Sequence, residues 1–332
     1  MHMTDTNYYA ADAYATLRPI MERYGATGSP CAFQEAVNLT FHEFESAVYD
    51  QIHREMWETL PAHFDYLSRA LISVLPHDRH LRVLDVGCGT GLSSELLLQT
   101  DLSRLICHID LLDTSEPMLA KVRDRAQKWG VPHATILGTI DAIPPSSQYD
   151  LIMACSVLHH IPDLKNAIDK IRKRQGPGDS FMHLQDPNAD MLSDPALHER
   201  KRRLRSIRRA WTPSRLVKAI RNRLRPAVRE SYLELVNTSL IARTVIRKEM
   251  SAQDMWAVTD IHVGSGRGIS LTAIGQVLDD YSLVATRPYS FFGEMSSTLP
   301  VDLQAEERQL LVQGAANGSQ IAAAWLHTGG RP

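Results

Sequence analysis

The chain has 332 residues, with 36 lysines and arginines against 38 aspartates and glutamates, and 44% of its residues are hydrophobic. This length fits one or two domains, and the composition is typical of an ordinary globular protein. The four cysteines show no Cys-x-x-Cys pairing, which excludes a disulfide framework and any recognisable zinc module. No apolar run is long enough to span a membrane and no signal peptide opens the chain, so we expect a cytoplasmic protein.

The first 75 residues are predicted to be helical, because apolar side chains recur at three- and four-residue steps from Phe41 to Leu60. From Leu81 onward, short apolar runs alternate with amphipathic helices, a pattern typical of parallel β-α-β units. The predicted strands cover residues 81–86, 105–112, 134–137, 151–155 and 180–184. A predicted helix after the first strand ends near residue 99. Two further helices are predicted over residues 116–129 and 164–174.

After the fifth strand the pattern changes. Asp194-Pro195 and Thr212-Pro213 each place a capping side chain before a helix-starting proline. They predict helices over 196–211 and 213–225, followed by a third over 227–249, and Ser251 with Asp254 resembles a capping box for a fourth. Strand patterns return near 283–292 and 321–326. We therefore divide the chain into four parts: an N-terminal helical cap (1–75), an α/β core (76–190), a basic helical lid (191–250) and a C-terminal part that completes the sheet (251–332).

A glycine-rich turn follows the first strand, in the sequence VLDVGCGTG. Its glycines allow a tight turn and let a ligand approach backbone N–H groups. A dinucleotide fold needs G-x-G-x-x-G, but the third glycine is replaced here by Leu92. Asp85, just before the first glycine, would repel a pyrophosphate and attract a ligand that carries an ammonium and a sulfonium group. The sequence therefore predicts an S-adenosylmethionine site.

A second acid supports that prediction. Asp113 lies at the end of the next apolar run, where a carboxylate can accept hydrogen bonds from both ribose hydroxyls. Either acid alone could be a helix cap or a solvated strand end. Both together, in register with the glycine turn, favour a nucleoside site.

These motifs, with LLDTSEPML and YDLIMACSVLHHIPD further on, resemble class I S-adenosylmethionine-dependent methyltransferases. The similarity is strongest to the small-molecule branch that includes the ubiquinone and menaquinone C-methyltransferases. It covers about residues 80–188, with a weaker echo at Tyr49-Asp50. It implies a Rossmann-like, mostly parallel seven-stranded sheet with the order 3-2-1-4-5-7-6.

The resemblance also implies a set of cofactor contacts. The residues that would surround the methionine part, the ribose and the adenine, in chain order, are Asp85, Gly87, Cys88, Gly89, Gly91, Asp113, Thr114, Ser115, Met118, Thr139, Ile140, Asp141, Cys155 and Ser156. One departure concerns the adenine. The family usually has an acid directly after the glycine that ends the third strand, whereas here Thr139 follows Gly138, so the contact stays open between Thr139, the Ile140 backbone and Asp141.

Candidate catalytic side chains follow the fourth and fifth strands. His159 and His160 could supply a general base, or they could simply pack and cap the turn before Pro162. Asp186 is a second candidate, with a turn-forming Asp-Pro as its alternative role. No further His, Cys or Asp cluster lies at ligand spacing, so we expect no metal site.

The charge of the chain is uneven. Residues 199–230 contain 13 lysines and arginines against 2 acids, on apolar-striped helices that we expect to cover the pocket. The arginines leave open a phosphorylated substrate, an acidic partner, a membrane surface or RNA.

We expect methyl transfer to a small-molecule acceptor by an enzyme that could form a homodimer. The alternatives are an RNA-modifying methyltransferase that uses the basic helices, and a protein that keeps the fold without methylating. The acceptor pocket is expected between the sheet edge, the N-terminal helices and the lid. Its candidate aromatic walls are Tyr8, Tyr9, Tyr14, Trp57 and Trp211.

Overall fold

The computed structural model describes residues 11–76, 78–210, 228–264 and 268–329. Its centre is a seven-stranded sheet with the order β3-β2-β1-β4-β5-β7-β6. The strands are β1 (Leu81–Val86), β2 (Ile106–Asp113), β3 (His133–Leu137), β4 (Leu151–Cys155), β5 (Ser180–Pro187), β6 (Tyr281–Tyr289) and β7 (Gln320–His327). The first five are parallel, and β7 runs antiparallel to both β5 and β6. The predicted fold class is therefore confirmed.

The helices include both predicted and unpredicted elements. Their bounds are α1 (Ala11–Tyr24), α2 (Pro30–Glu45), α3 (Tyr49–Ile52), α4 (Arg54–Thr59), α5 (Pro61–Ile72), α6 (Leu92–Leu98), α7 (Glu116–Ala126), α8 (Leu164–Arg172), α9 (Pro195–Ala210), α10 (Val228–Ala242), α11 (Ala252–Thr259), α12 (Ile261–Gly264), α13 (Leu271–Val277) and α14 (Val301–Val312). The helix predicted over 213–225 lies outside the described residues. The third helix of that region ends at Ala242, earlier than predicted, and the predicted cap of α11 is present, since the Ser251 side chain accepts a hydrogen bond from the Asp254 N–H.

The sheet carries an apolar layer on each face. On one face, β1 and β2 pack against α5 and α6 through side chains such as Leu67 and Leu96. On the other, β4 and β5 pack against α8 and α13 through Ile168 and Ile274. Strands β1 and β4 are almost wholly buried, which explains why they read as continuous apolar runs rather than alternating ones.

A separate group of helices stands over the carboxyl edge of the parallel strands. Helices α1, α2, α10 and α11, which we call the roof helices, share their own apolar core. Its centre is Phe41, which makes edge contacts with the rings of Tyr232 and Trp256. Helices α1 and α2 thus form one unit with α10 and α11, whereas α5, also N-terminal, packs on the sheet.

The first half of that segment lies elsewhere. Helix α9 packs through Leu204 against Phe291 and Phe292, beside α14. The described residues of 191–250 therefore do not form the single lid that we predicted over the pocket, because their apolar side chains are buried against two different surfaces. Within the described ranges, no helix combines the length and apolar character needed to cross a membrane.

Candidate functional site

A cavity of about 730 Å³ lies between the carboxyl ends of the parallel strands and roof helix α2. Its floor is formed by the turns that follow β1, β2, β3 and β4. Eleven of the fourteen predicted cofactor residues line it: Gly87, Cys88, Gly89, Asp113, Thr114, Met118, Thr139, Ile140, Asp141, Cys155 and Ser156. The sequence therefore predicted most of the residues that meet at this edge.

The glycine turn after β1 is shaped by close contacts. Gly87 has a φ of 65°, and a Cβ there would lie 2.5 Å from Val157 Cγ2. Gly91 has a φ of 90°, and a Cβ there would lie 2.5 Å from Val122 Cγ2, so this glycine serves the packing of α7 and does not line the cavity. At Gly89, with a φ of 52°, a Cβ would meet nothing within 4 Å. The turn thus leaves open space above Gly89.

Asp113 holds the floor together at the end of β2. Its Oδ2 accepts a hydrogen bond from the Gly89 N–H and its Oδ1 one from the Ser115 N–H, both at 2.8 Å. Burial raises the pKa of Asp113 above its usual value, although these two N–H donors oppose the shift. The carboxylate therefore lines the cavity and also fixes the glycine turn.

Asp85 differs from the prediction. Its side chain is fully buried below the turn and does not line the cavity. Oδ2 accepts hydrogen bonds from the hydroxyls of Ser93 and Ser94, at 2.6 and 2.7 Å, and Oδ1 has no partner among the described residues. Burial raises its pKa to about 7. Asp85 therefore does not offer the direct ligand contact that we predicted. Any effect of its charge on a ligand is electrostatic and acts through the glycine turn.

Ser115 also plays a structural part. It is fully buried, and its hydroxyl accepts a hydrogen bond from the Met118 N–H as the N-cap of α7. The three alternatives for the adenine contact, Thr139, Ile140 and Asp141, all line the cavity, so their choice stays a prediction. Asp141 is held at the rim by Lys170, at 2.7 Å.

The turn after β4 contains both predicted histidines, and only His160 lines the cavity. Ser156, at its start, has a φ of 60°, a strained conformation typical of functional sites. His159 lies behind, with Nδ1 at 2.8 Å from Asp186 Oδ1. Burial is the largest single influence and lowers the pKa of His159, but the hydrogen bond to Asp186 and the charges of Asp186 and Asp260 together outweigh it, so the net pKa is raised. The structure thus pairs two predicted candidates outside the cavity wall.

One group of side chains has donor atoms close enough for a cation. His159, His160 and Asp260 each place a donor atom within 4.8 Å of the others. However, Nδ1 of His160 lies 3.0 Å from the carbonyl oxygen of Thr259, a contact in which Nδ1 carries the proton. This nitrogen is therefore not available to a metal, whereas Nε2 of His160 keeps its lone pair, and the expectation that no metal is needed stays a prediction.

Comparison with known proteins finds a similarity in the segment that contains the glycine turn. Residues 83–178 match a family model described as a methyltransferase domain. This segment is similar to methyltransferase domains. The resemblance found in the sequence is therefore confirmed for the part of the chain that contains β1 to β4 and the glycine turn.

Several curated proteins that are similar to part of this chain are named as methyltransferases. A ubiquinone biosynthesis O-methyltransferase of Paramagnetospirillum magneticum is 30% identical over 31% of this chain and 39% of its own length. A 27-O-demethylrifamycin SV methyltransferase of Amycolatopsis mediterranei is 27% identical over 39% of this chain and 48% of its own. The chain thus spans less than half the length of these curated relatives. The solved structure of a plantazolicin methyltransferase in complex with SAH can be superposed over 90% of this chain and 97% of its own chain, with 13% sequence identity and a TM-score of 0.46.

The roof helices, which lie outside the matched segment 83–178, bring side chains that the sequence reasoning missed. Helix α2 presents Gln34, Asn38 and His42 to the cavity at four-residue steps, which place them on one helix face. Gln34 Nε2 donates to the His160 carbonyl oxygen at 3.0 Å, which joins the roof to the β4 turn. The four-residue spacing could have shown the shared face, but polar residues on it gave no signal of burial against a cavity.

Of the remaining residues that we predicted near the pocket, some line the cavity and others do not. Tyr14 and Tyr49 line the cavity, whereas Trp57 stacks on Arg125, with the guanidinium carbon 4.6 Å from its ring. Asp50, next to Tyr49, accepts a hydrogen bond from the Thr90 hydroxyl at 2.8 Å and pairs with Arg125. The predicted wall residues Tyr8, Tyr9 and Trp211 lie outside the described residues.

Proposed function

We propose that the protein transfers a methyl group from S-adenosylmethionine to a small-molecule acceptor bound in this cavity. The observation that carries the proposal is the continuity of the cavity, which joins the glycine turn and Asp113 on the floor to the polar face of α2 in the roof. A volume of about 730 Å³ falls in the range of ligand pockets, roughly 300–1,000 Å³, and leaves room for two small molecules side by side.

The floor has the features that this cofactor needs. Space lies open above Gly89, where a side chain would project into the cavity. Asp113 presents a carboxylate beside it for hydroxyl groups of a ribose, and Thr139 to Asp141 line the cavity at the end of β3, where the adenine is expected. When bound, S-adenosylmethionine supplies a methyl group already activated by its sulfonium.

The task left to the protein is alignment. An acceptor must lie in line with the bond that breaks, with water excluded, and orientation alone supplies a large share of such rate enhancements. Helix α2 covers the cavity and is anchored to the β4 turn by Gln34. Helix α11 is joined to the same turn by the 3.0 Å contact between His160 Nδ1 and the Thr259 carbonyl oxygen. We assign the acceptor to the space under this helix.

A small acceptor is favoured over RNA by the pairing of four arginines on α9, which belongs to the described part of the basic segment. On α9, Arg202, Arg203 and Arg208 form ion pairs with glutamates, and Arg200 donates to the carbonyl oxygens of Phe291 and Asn317. These guanidinium groups are already engaged within the chain. The names of the similar proteins also support a metabolite acceptor, since both are named for small-molecule biosynthesis.

Calorimetric titration with S-adenosylmethionine and S-adenosylhomocysteine tests the cofactor. We expect Asp113→Ala to weaken binding at least tenfold, about 1.4 kcal/mol, because charge-assisted hydrogen bonds are lost. Asp78→Ala, at an exposed position before β1, is the matched control and should bind normally. Thermal melting of both variants checks that each is folded.

Product analysis then tests the transfer. Phenolic, amine and carboxylate probes are incubated with the wild type, and S-adenosylhomocysteine is measured by mass spectrometry. Unchanged affinity in Asp113→Ala would reject the ribose assignment, and absence of binding by either nucleoside would reject the cofactor. Binding without product from any probe would support the alternative of a fold that does not methylate, whereas salt-sensitive retention on RNA would favour the RNA alternative.

A further inference from the structure

Two imidazoles line the cavity, and they are held in different ways. His42 comes from roof helix α2 and His160 from the turn after β4, with their ring centroids 5.1 Å apart in an edge-to-face arrangement. Nδ1 of His160 lies 3.0 Å from the Thr259 carbonyl oxygen and 3.2 Å from Asp260 Oδ1. Nδ1 of His42 lies 3.2 Å from Glu45 Oε2, one helical turn further along α2.

Glu45, the last residue of α2, is unusual because its carboxylate is buried. It is 1% exposed, and two histidines hold its carboxylate, His42 at Oε2 and His53 at Oε1, 3.4 Å away. Burial raises the pKa of Glu45, but the hydrogen bonds from both imidazoles outweigh that effect and lower it to about 2. A fixed negative charge therefore lies directly behind the His42 ring, on the side away from the cavity.

This arrangement sets the tautomer of His42. Because the carboxylate only accepts hydrogen bonds, Nδ1 carries the proton and Nε2 keeps its lone pair. No described residue forms a hydrogen bond with Nε2, and the ring lines the cavity. Burial is the largest single influence and lowers the pKa of His42, but the hydrogen bond to Glu45 and the surrounding negative charges together outweigh it, so the net pKa is raised.

The other charged groups around His42 both raise and lower its pKa. Asp113 on the floor and Asp260 at the end of α11 also raise the pKa of His42. His159, whose own pKa is raised, faces it from the β4 turn and opposes its protonation, since a charge on His42 lowers the pKa of His159 and of His160. Tyr49 also lines this part of the cavity, and its own pKa is raised by burial. His160 itself stays neutral, because burial and its two histidine neighbours hold its pKa well below the usual value.

We propose that His42 is the general base of the reaction and that the acceptor carries a hydroxyl group, with Glu45 as the positioning residue of His42. The proposal rests on the proposed function. The O–CH₃ bond forms while the S–CH₃ bond breaks and its electron pair returns to sulfur. The hydroxyl proton moves to Nε2 of His42 and from there to solvent, which leaves an ether and S-adenosylhomocysteine.

A hydroxyl is the acceptor that this imidazole serves best. A neutral hydroxyl is a weak nucleophile, so removal of its proton during transfer accelerates the step, by roughly 10²–10⁴-fold for a positioned base. A neutral amine attacks through its own lone pair and releases its proton afterwards. The His159–Asp186 pair cannot take this part in the present geometry, because neither residue lines the cavity.

Histidine NMR tests the pair without any substrate. In the protein with ¹³C-labelled histidines, we expect His42 to titrate above the usual histidine range and His160 to stay neutral to low pH. Glu45→Gln should lower the pKa of His42, whereas His108→Gln, which breaks a histidine–aspartate pair at 2.9 Å far from the cavity, should leave it unchanged. An unshifted His42 titration in Glu45→Gln, or a wild-type His42 that titrates below the usual range, would overturn the proposal.

Activity supplies the second readout. With phenolic probes, His42→Gln should reduce kcat at least a hundredfold and Glu45→Gln about tenfold, with the acid limb of the Glu45→Gln pH profile moved to lower pH. Both variants should bind S-adenosylhomocysteine within twofold of the wild type by calorimetry. Turnover of amines but not of phenols, or full activity of His42→Gln, would contradict the hydroxyl assignment. If the wild type binds neither nucleoside, the proposed function is rejected instead. The NMR titration needs no ligand, so it tests the His42–Glu45 pair separately from the proposed function.

Discussion

The floor and the roof of the cavity present their chemistry in different ways. The floor is made of short turns after parallel strands, where backbone N–H groups of Gly89 and Ser115 bond to Asp113 and leave little freedom to any side chain. The roof is one face of α2, where Gln34, Asn38 and His42 project into the cavity from a continuous helix. Backbone geometry therefore determines the floor, and side-chain choice determines the roof.

This difference separates two tasks. A floor fixed by strand register suits a ligand that stays the same, since the turns cannot change without disturbing the sheet. A helix face can change residue by residue while its buried side, centred on Phe41, remains packed. We therefore expect the floor to set cofactor affinity and the roof to set the acceptor and the rate.

The largest expected effect comes from opening the roof core. Phe41 is 1% exposed and contacts the rings of Tyr232 and Trp256, so Phe41→Ala should cost about 3–5 kcal/mol of unfolding free energy. If the roof is a separate unit, urea titration should show it unfolding first, with S-adenosylhomocysteine affinity reduced less than tenfold. Phe181→Ala, in the core beneath the sheet, is the matched control and should destabilise the floor directly. A single transition with loss of binding in Phe41→Ala would show that the floor depends on the roof.

A smaller effect is expected from a methyl group in the floor. Gly87→Ala combines a left-handed backbone with a Cβ only 2.5 Å from Val157, and should cost about 2–4 kcal/mol and abolish nucleoside binding at micromolar concentrations. Gly130 has a similar φ of 67° but open space around it, so Gly130→Ala should cost only about 1 kcal/mol and bind normally. Thermal melting and calorimetry measure both. Equal costs would mean that the packing against Val157 does not shape the turn.

The same contrast explains which features the sequence revealed. Strands β1 and β4 have the predicted bounds, because strands buried on both faces read as apolar runs. Helix α14 was missed, since Val301 and Val312 at its ends are 76% and 88% exposed and break any apolar stripe. Most of the floor followed from local motifs.

The roof could not be predicted in the same way. His42 matters because α2 crosses to a turn more than a hundred residues away, where Gln34 bonds to the His160 carbonyl oxygen. No local pattern encodes that contact. Asp85 shows the opposite limit: its position in the motif was read correctly, but the serine hydroxyls of α6 draw its carboxylate away from the cavity.

The smallest expected effect tests whether Asp85 still acts on the ligand through the turn. Because its pKa is raised to about 7, part of these carboxyls are protonated near pH 7. A bound sulfonium favours the ionised form and lowers that pKa, so S-adenosylmethionine should release a fraction of a proton on binding near pH 7. Calorimetry in buffers of different ionisation enthalpy measures the release. S-adenosylhomocysteine, which lacks the sulfonium charge, should release less, and Asp85→Asn should abolish the difference between the two ligands. If the two ligands still differ as much in proton release with Asp85→Asn, the proton comes from another group, and His42 is the next one to examine. The charge that responds to the sulfonium would then lie in the roof and not in the floor.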